Sequence, residues 1–164
     1  MSAISSIAII GAGNIGTAIA RGLVKSGLLG VGKVTLTRRH ADKMEDLVTE
    51  GFATTTDNAA AIAGSDLVVL AVEPGQLDDL LQDIGGALDP ARHTVISVVS
   101  GATIADMKQH LKDGVAVVRA MPNTAIAVGE SMTCLSAAAV DAAGLDLADQ
   151  VFQSVGITLV IDEE

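Results

Sequence analysis

The stretch from Ile7 to Gly27, IAIIGAGNIGTAIARGLVKSG, sets the tightest limit on what this chain can fold into. An apolar run of strand character meets Gly11, Gly13 and Gly16. The glycines open a helical pattern in which Ile15, Ala18, Ile19 and Leu23 share a face, and Gly27 supplies a stop. A strand that turns directly into a helix is the first half of a βαβ unit. The remainder repeats the alternation. AISSIAII, GKVTLT, FATTT, SDLVVLAV, HTVISVVS and GVAVVRAM read as strands, FATTT being the weakest. Between them lie the helical segments HADKMEDLVTEG, where Met44, Leu47 and Val48 group together, TDNAAAIAGS, capped by Asp57 or Asn58, PGQLDDLLQDIGG, begun by Pro74, and TIADMKQHLKDG, with Thr103 and Asp106 spaced as a capping box. DAAGLDLADQVFQSVG and ITLVIDEE close the series as helix and strand. Val- and Ile-rich runs without polar alternation belong to strands covered on both faces. No helix separates VAVVRAM from ESMTCLS, so a hairpin is expected there. The predicted architecture is α/β: one Rossmann-like, doubly wound domain over residues 1–164, its sheet mostly parallel with an antiparallel hairpin near the C-terminus.

The glycines carry the first chemical argument. Gly11 permits the tight turn out of the strand, Gly13 lets backbone approach a pyrophosphate with no Cβ between, and Gly16 allows the helix to pack closely on the strand. Amide groups at the helix start then face the phosphates, aided by the helix dipole. GxGxxG alone is a weak signal; following a strand and opening a helix it reads as a dinucleotide site. An NAD site places Asp or Glu at the end of the second strand, whereas this chain has Thr37, Arg38 and Arg39. Guanidinium forks match phosphate oxygens, which makes NADP the preferred cofactor and NAD the second candidate. Ligands of open α/β sheets bind beyond the carboxyl ends of the strands, so Ala71, Val72, Glu73 and Pro74, and then Ser100 and Gly101, are expected to line the cofactor.

Composition excludes other classes. A net charge of −10 argues against nonspecific nucleic-acid binding and against an anionic membrane surface. Hydrophobic residues make up 49% of the chain and aromatics 1%, so the core must be built from aliphatic side chains. No segment reads as a bilayer span or a signal peptide. The single cysteine, Cys134, reads as a buried small hydrophobe and fits a reducing cytoplasm; no cluster of metal-ligand type is present. His40, His93 and His110 read as surface residues.

IIGAGNIGTAIARGL, DLVVLAVEPGQ, ISVVSGATI and above all VRAMPNTAIAVGESMT together resemble pyrroline-5-carboxylate reductase, with the element from Arg119 to Thr124 the most specific. The resemblance covers essentially the whole chain. It implies reduction of 1-pyrroline-5-carboxylate to L-proline by hydride transfer from NADPH or NADH, the last step of proline biosynthesis. It also implies a pyrophosphate cradled by Ala12, Gly13, Asn14, Ile15 and Gly16, and an adenosine phosphate met by Arg38 and Arg39. Asn58 then lies by the ribose, Ala71 to Pro74 flank the nicotinamide, and Met121, Pro122 and Asn123 form the wall where nicotinamide meets substrate. No side chain is assigned as proton donor. Glu73 stands where the family often has Lys, Ala125 where it usually has Pro, and Ser131 where it often has Gly. The family continues into a helical domain that makes the dimer and much of the substrate pocket. The chain stops near where that domain begins and is therefore expected to be the cofactor-binding half, a poor catalyst alone and a homo-oligomer in its longer form. Another NADP-dependent Rossmann reductase, of the β-hydroxyacid dehydrogenase or F420-dependent type, and a non-catalytic NADP-binding module are the competing readings.

Overall fold

A computed structural model describes residues 4–163. Ala3, at the head of the first apolar run, and Glu164, at the tail of the last, lie outside the described residues. Eight strands form one sheet: β1 (Ile7–Ile10), β2 (Val34–Thr37), β3 (Ala53–Thr55), β4 (Leu67–Leu70), β5 (Thr94–Ser97), β6 (Ala116–Met121), β7 (Ser131–Ala137) and β8 (Gly156–Val160). Their order is β3-β2-β1-β4-β5-β6-β7-β8. All neighbours run parallel except β6 and β7, which pair antiparallel with Arg119 opposite Ser136 and Met121 opposite Cys134. The doubly wound sheet and the late antiparallel pair are as the sequence predicts.

Six α-helices cover the sheet: α1 (Asn14–Lys25), α2 (Glu45–Thr49), α3 (Asn58–Ala63), α4 (Leu77–Ile84), α5 (Ile104–Lys108) and α6 (Ala142–Gln153). Alternate residues of β1 enter opposite cores. Ile7 and Ile9 pack with Ile19 and Leu23 of α1 and Phe152 of α6, while Ala8 and Ile10 pack with Ile62, Leu81 and Met107 from α3, α4 and α5. That division explains why β1 and β4, buried at every position, show no polar alternation. Asp57, rather than Asn58, caps α3, its Oδ1 accepting the Ala60 N–H at 3.0 Å. The Thr103–Asp106 capping box forms in full.

Three readings are corrected. The segment from His40 to Gly51 is a 3-10 turn (Ala41–Met44) followed by one short helix, so Met44 and Leu47 reach the core three residues apart and Val48 turns out to solvent, 56% exposed. Cys134 is half-buried rather than buried. Its neighbours Thr133 and Leu135 face the core side of β7, whereas the Met132 side of the strand is open, with Met132 itself 41% exposed. His93 is not a surface residue but a satisfied core histidine. Its Nδ1 accepts the Asp89 N–H at 2.8 Å and its Nε2 lies 3.2 Å from the Ile62 carbonyl, to which it can donate, so the ring is held between the end of α3 and the start of β5.

A partly buried ion pair joins α5, the turn before α6 and β6. Lys108 Nζ donates to Asp141 Oδ2 at 2.6 Å, and the same oxygen accepts the Val117 N–H at 3.3 Å. Asp141 is 7% exposed and Lys108 about a third exposed, which makes the pair asymmetric. Lys108→Met strands a buried carboxylate on one backbone donor and is expected to cost about 3 kcal/mol. Asp141→Asn keeps an acceptor for Val117 and lets the ammonium reach water, for about 1.5 kcal/mol. Urea melts of the two variants are expected to rank in that order.

Candidate functional site

The strand order reverses between β1 and β4, and such a switch point opens a crevice at the carboxyl edge of the sheet. The loops that form it are tied together by backbone. Gly11 and Ala12 N–H groups both donate to the Thr37 carbonyl at the end of β2, at 3.2 and 2.8 Å, and the Ala71 N–H donates to Ile10 at 2.8 Å. Gly11 has φ +108°, and a Cβ there would lie 2.5 Å from the Ala71 carbonyl oxygen. A Cβ on Gly16 would overlap the Gly11 carbonyl oxygen. Both glycines are therefore required by the protein itself.

Gly13 is different. It is the N-cap of α1, its backbone is extended, and a Cβ built on it meets nothing within 4 Å. No side chain caps this helix and its first turn carries no acid. The result is an uncapped helix start, positive by its dipole, behind a residue whose missing side chain leaves open space.

Two hollows meet over this point, sharing Ala12, Gly13, Arg38 and Lys43. One, of about 510 Å³, runs between the ends of β2 and β4. It gathers Gly11, Arg39, Asn58, Ala71, Val72 and Glu73 from the predicted set. The other, of about 1140 Å³, runs along α1 beneath the β6–β7 connection and gathers Asn14, Ile15, Pro122 and Asn123. Gly16, Pro74, Ser100, Gly101 and Met121 line neither. Gly16 is buried under the glycine turn, Met121 is half-buried at the end of β6, and Pro74, Ser100 and Gly101 are exposed beyond β4 and β5.

The cations divide by task. Arg38 is half-buried, and its Nη1 donates to the carbonyls of Ala12 at 3.3 Å and Lys43 at 3.4 Å, clasping the glycine turn to the segment after β2. Arg39 is exposed in the smaller hollow, and Lys43 lines both. Lys43 is a residue the sequence reading missed. It lies in the 3-10 turn Ala41–Met44, and neither its residue type nor a helical spacing from Arg39 marked it in the sequence. Thr56 and Gln76 complete the smaller hollow and carried no signal at all. Glu73, after β4, and Asp79 and Asp83, from α4, also line it. In the larger hollow Arg21 is already paired. Its Nε donates to Glu50 Oε2 at 2.9 Å, and this contact holds the guanidinium above its ordinary value and the carboxyl below its own.

The β6–β7 connection contributes the last wall. Asn123 caps a 3-10 turn (Thr124–Val128), its Oδ1 accepting the Ala125 N–H at 3.2 Å, so what it can offer a ligand is its Nδ2 donors. Ser131, one of the departures from the resembled family, accepts the Asn123 N–H on its Oγ at 3.3 Å. Among the described residues no group of three or more His, Cys, Asp or Glu could hold a metal ion, and no helix is long and apolar enough to cross a membrane.

A switch-point crevice with an uncapped helix start and a basic second-strand end defines a dinucleotide-binding type of domain, of the Rossmann class. The chain belongs to the family described as NADP oxidoreductase coenzyme F420-dependent, whose model matches residues 6–101, more than half of its length. The motif resemblance to pyrroline-5-carboxylate reductase is borne out. "Pyrroline-5-carboxylate reductase 1" of Dictyostelium discoideum is 41% identical over 98% of this chain and 31% of that protein, and "Pyrroline-5-carboxylate reductase 2" of the same organism is 38% identical over 97% and 58%. A pyrroline-5-carboxylate reductase structure from Coxiella burnetii superimposes with a TM-score of 0.91 at 30% identity, covering 99% of this chain and 60% of that one. The chain thus spans between about a third and three fifths of the proteins it matches.

Proposed function

We propose that this chain is the NADPH-binding half of a pyrroline-5-carboxylate reductase, a cytoplasmic enzyme that reduces 1-pyrroline-5-carboxylate to L-proline in the last step of proline biosynthesis and works as a homo-oligomer in its longer form. The observation that carries the nucleotide part is Gly13, whose bare Cα faces open space at the start of α1 although no protein atom needs it bare. The names of the relatives, matched over nearly the whole chain, support the reaction.

The residues present fit the cofactor. The amides of Asn14, Ile15 and Gly16 hold the diphosphate, with the dipole of the 12-residue α1 behind them. Arg39 and Lys43 hold the 2′-phosphate and Arg38 keeps their loop on the glycine turn. Asn58 and Thr56 sit by the adenosine ribose, while Ala71, Val72, Glu73 and Pro74 border the route toward the nicotinamide. Ser100, Gly101 and Met121 lie further along the same edge, at the ends of β5 and β6. Pro122 and Asn123 close the nicotinamide side. Bound NADPH supplies the hydride; this chain supplies position and electrostatics.

The test has two arms. The chain has no Trp or Tyr, so the nicotinamide's own fluorescence reports binding without interference, and saturable enhancement is expected on titrating NADPH. NADPH consumption with 1-pyrroline-5-carboxylate, but not with β-hydroxy acids, is expected when this chain is joined to the part that its longer relatives carry beyond the matched region. Tight NADPH binding with no turnover of either substrate would favour a nucleotide-sensing module instead.

A further inference from the structure

The β6–β7 connection is attached to the rest of the domain at few points, and one of them has no counterpart in the reading above. Between Pro122 and Ser131 most residues are exposed. Ile126 alone reaches the core, at 5% exposed, and Gly129 turns the chain back with φ +74°. The far end rests on Ser131, which is 1% exposed and fixed from both sides. Its own N–H donates to the Val155 carbonyl at 2.9 Å, and a Cβ on the facing Gly156 would overlap its carbonyl oxygen, so β8 is seated directly on it. From this post the Ser131 Oγ accepts the Asn123 N–H at 3.3 Å and lies 3.2 Å from the Oγ1 of Thr133, which is fully buried. The serine oxygen accepts from Asn123, and in its contact with Thr133 either hydroxyl can be the donor, so Ser131 Oγ is held on two sides.

We propose that Ser131 is a positioning residue for the nicotinamide end of the crevice: its buried hydroxyl pins the backbone of Asn123 and so sets the distance of Pro122, Asn123 and Thr124 from the start of α1. The inference rests on the nucleotide-binding reading. Pro122, Asn123 and Thr124 line the larger hollow opposite Gly13, Asn14 and Ile15, and a wall of this kind contributes only when held to within a fraction of an ångström. Asn123 is exposed and belongs to neither hydrophobic core, so losing this bond removes no core packing around it. The consequence is therefore a loosened wall rather than an unfolded domain.

The experiment compares NADPH with 2′-phospho-ADP-ribose, which carries the same phosphates and adenosine but no nicotinamide. Both are titrated calorimetrically into the wild-type chain, Ser131→Ala and Ser131→Cys. The cysteine variant fills the site that alanine leaves vacant while removing the strong acceptor, and so covers the case in which alanine disturbs the packing under β8. Both variants are expected to bind NADPH about 3- to 10-fold more weakly, to bind 2′-phospho-ADP-ribose as the wild type does, and to exchange the Asn123 amide hydrogen faster. Equal weakening of the two ligands, or no weakening of either, overturns the assignment of Ser131 while leaving the nucleotide site standing. A wild-type chain that binds neither ligand overturns the nucleotide-binding reading and this inference with it.

Discussion

Gly13→Ala is expected to leave the domain folded and to weaken NADPH binding by about 10- to 100-fold. The added methyl meets no protein atom within 4 Å, and the backbone at Gly13, φ −87° and ψ −163°, is one any residue adopts. The cost to the fold is that of a poorer N-cap, about 1 kcal/mol or less. The cost to binding is larger, because the methyl stands where a diphosphate oxygen must come within hydrogen-bond distance of the amides behind it. Gly11→Ala and Gly16→Ala should show the reverse pattern. Each places a Cβ against a backbone carbonyl oxygen, and Gly11 also has a positive φ, so both should lose about 2 to 4 kcal/mol of stability. Thermal melts and NADPH titrations on the three variants separate the two effects: one glycine kept for a ligand, two kept for the turn.

The second large effect concerns the choice between cofactors. Arg39→Ala combined with Lys43→Ala is expected to weaken NADPH by about 10- to 100-fold and NADH by less than about threefold, since a lost charge-assisted contact is worth about 1.5–3 kcal/mol. Arg38→Ala should weaken both cofactors alike. Its guanidinium is committed to the Ala12 and Lys43 carbonyls, and losing it frees the segment that carries Arg39 and Lys43 as well as the turn that carries Gly13. Titrations of each variant with both nucleotides at one fixed ionic strength check this, because salt screens the exposed Arg39 and Lys43 most. Equal losses for NADPH and NADH in the double variant would remove the 2′-phosphate from this end of the crevice.

The sheet was legible in the sequence because its strands are buried on both faces. Ile7–Ile10 and Leu67–Leu70 can be nothing but central strands, and their spacing imposes the helices between them. The glycine turn was legible because each glycine answers a separate steric demand. Short elements were less so. Val48 was misplaced because four residues of 3-10 turn shift the periodicity that a continuous helix would keep. His93 gave no sign of burial because its partners, the Asp89 amide and the Ile62 carbonyl, are backbone groups, one of them 31 residues away. The same limit applies to Lys43 and Ser131. Each acts at the crevice through a loop whose position depends on the folded sheet, and neither residue type is distinctive on its own.

The central claim is that the amides opening α1 receive the phosphates of NADPH. Amide resonances of the isotope-labelled chain, followed during a titration with NADPH, test it most directly. The largest shifts are expected at Ala12, Gly13, Asn14, Ile15 and Gly16, with Arg39 and Lys43 following for NADPH but not for NADH. Saturating shifts confined to another part of the surface, with the amides of Asn14 to Gly16 unmoved, would contradict it.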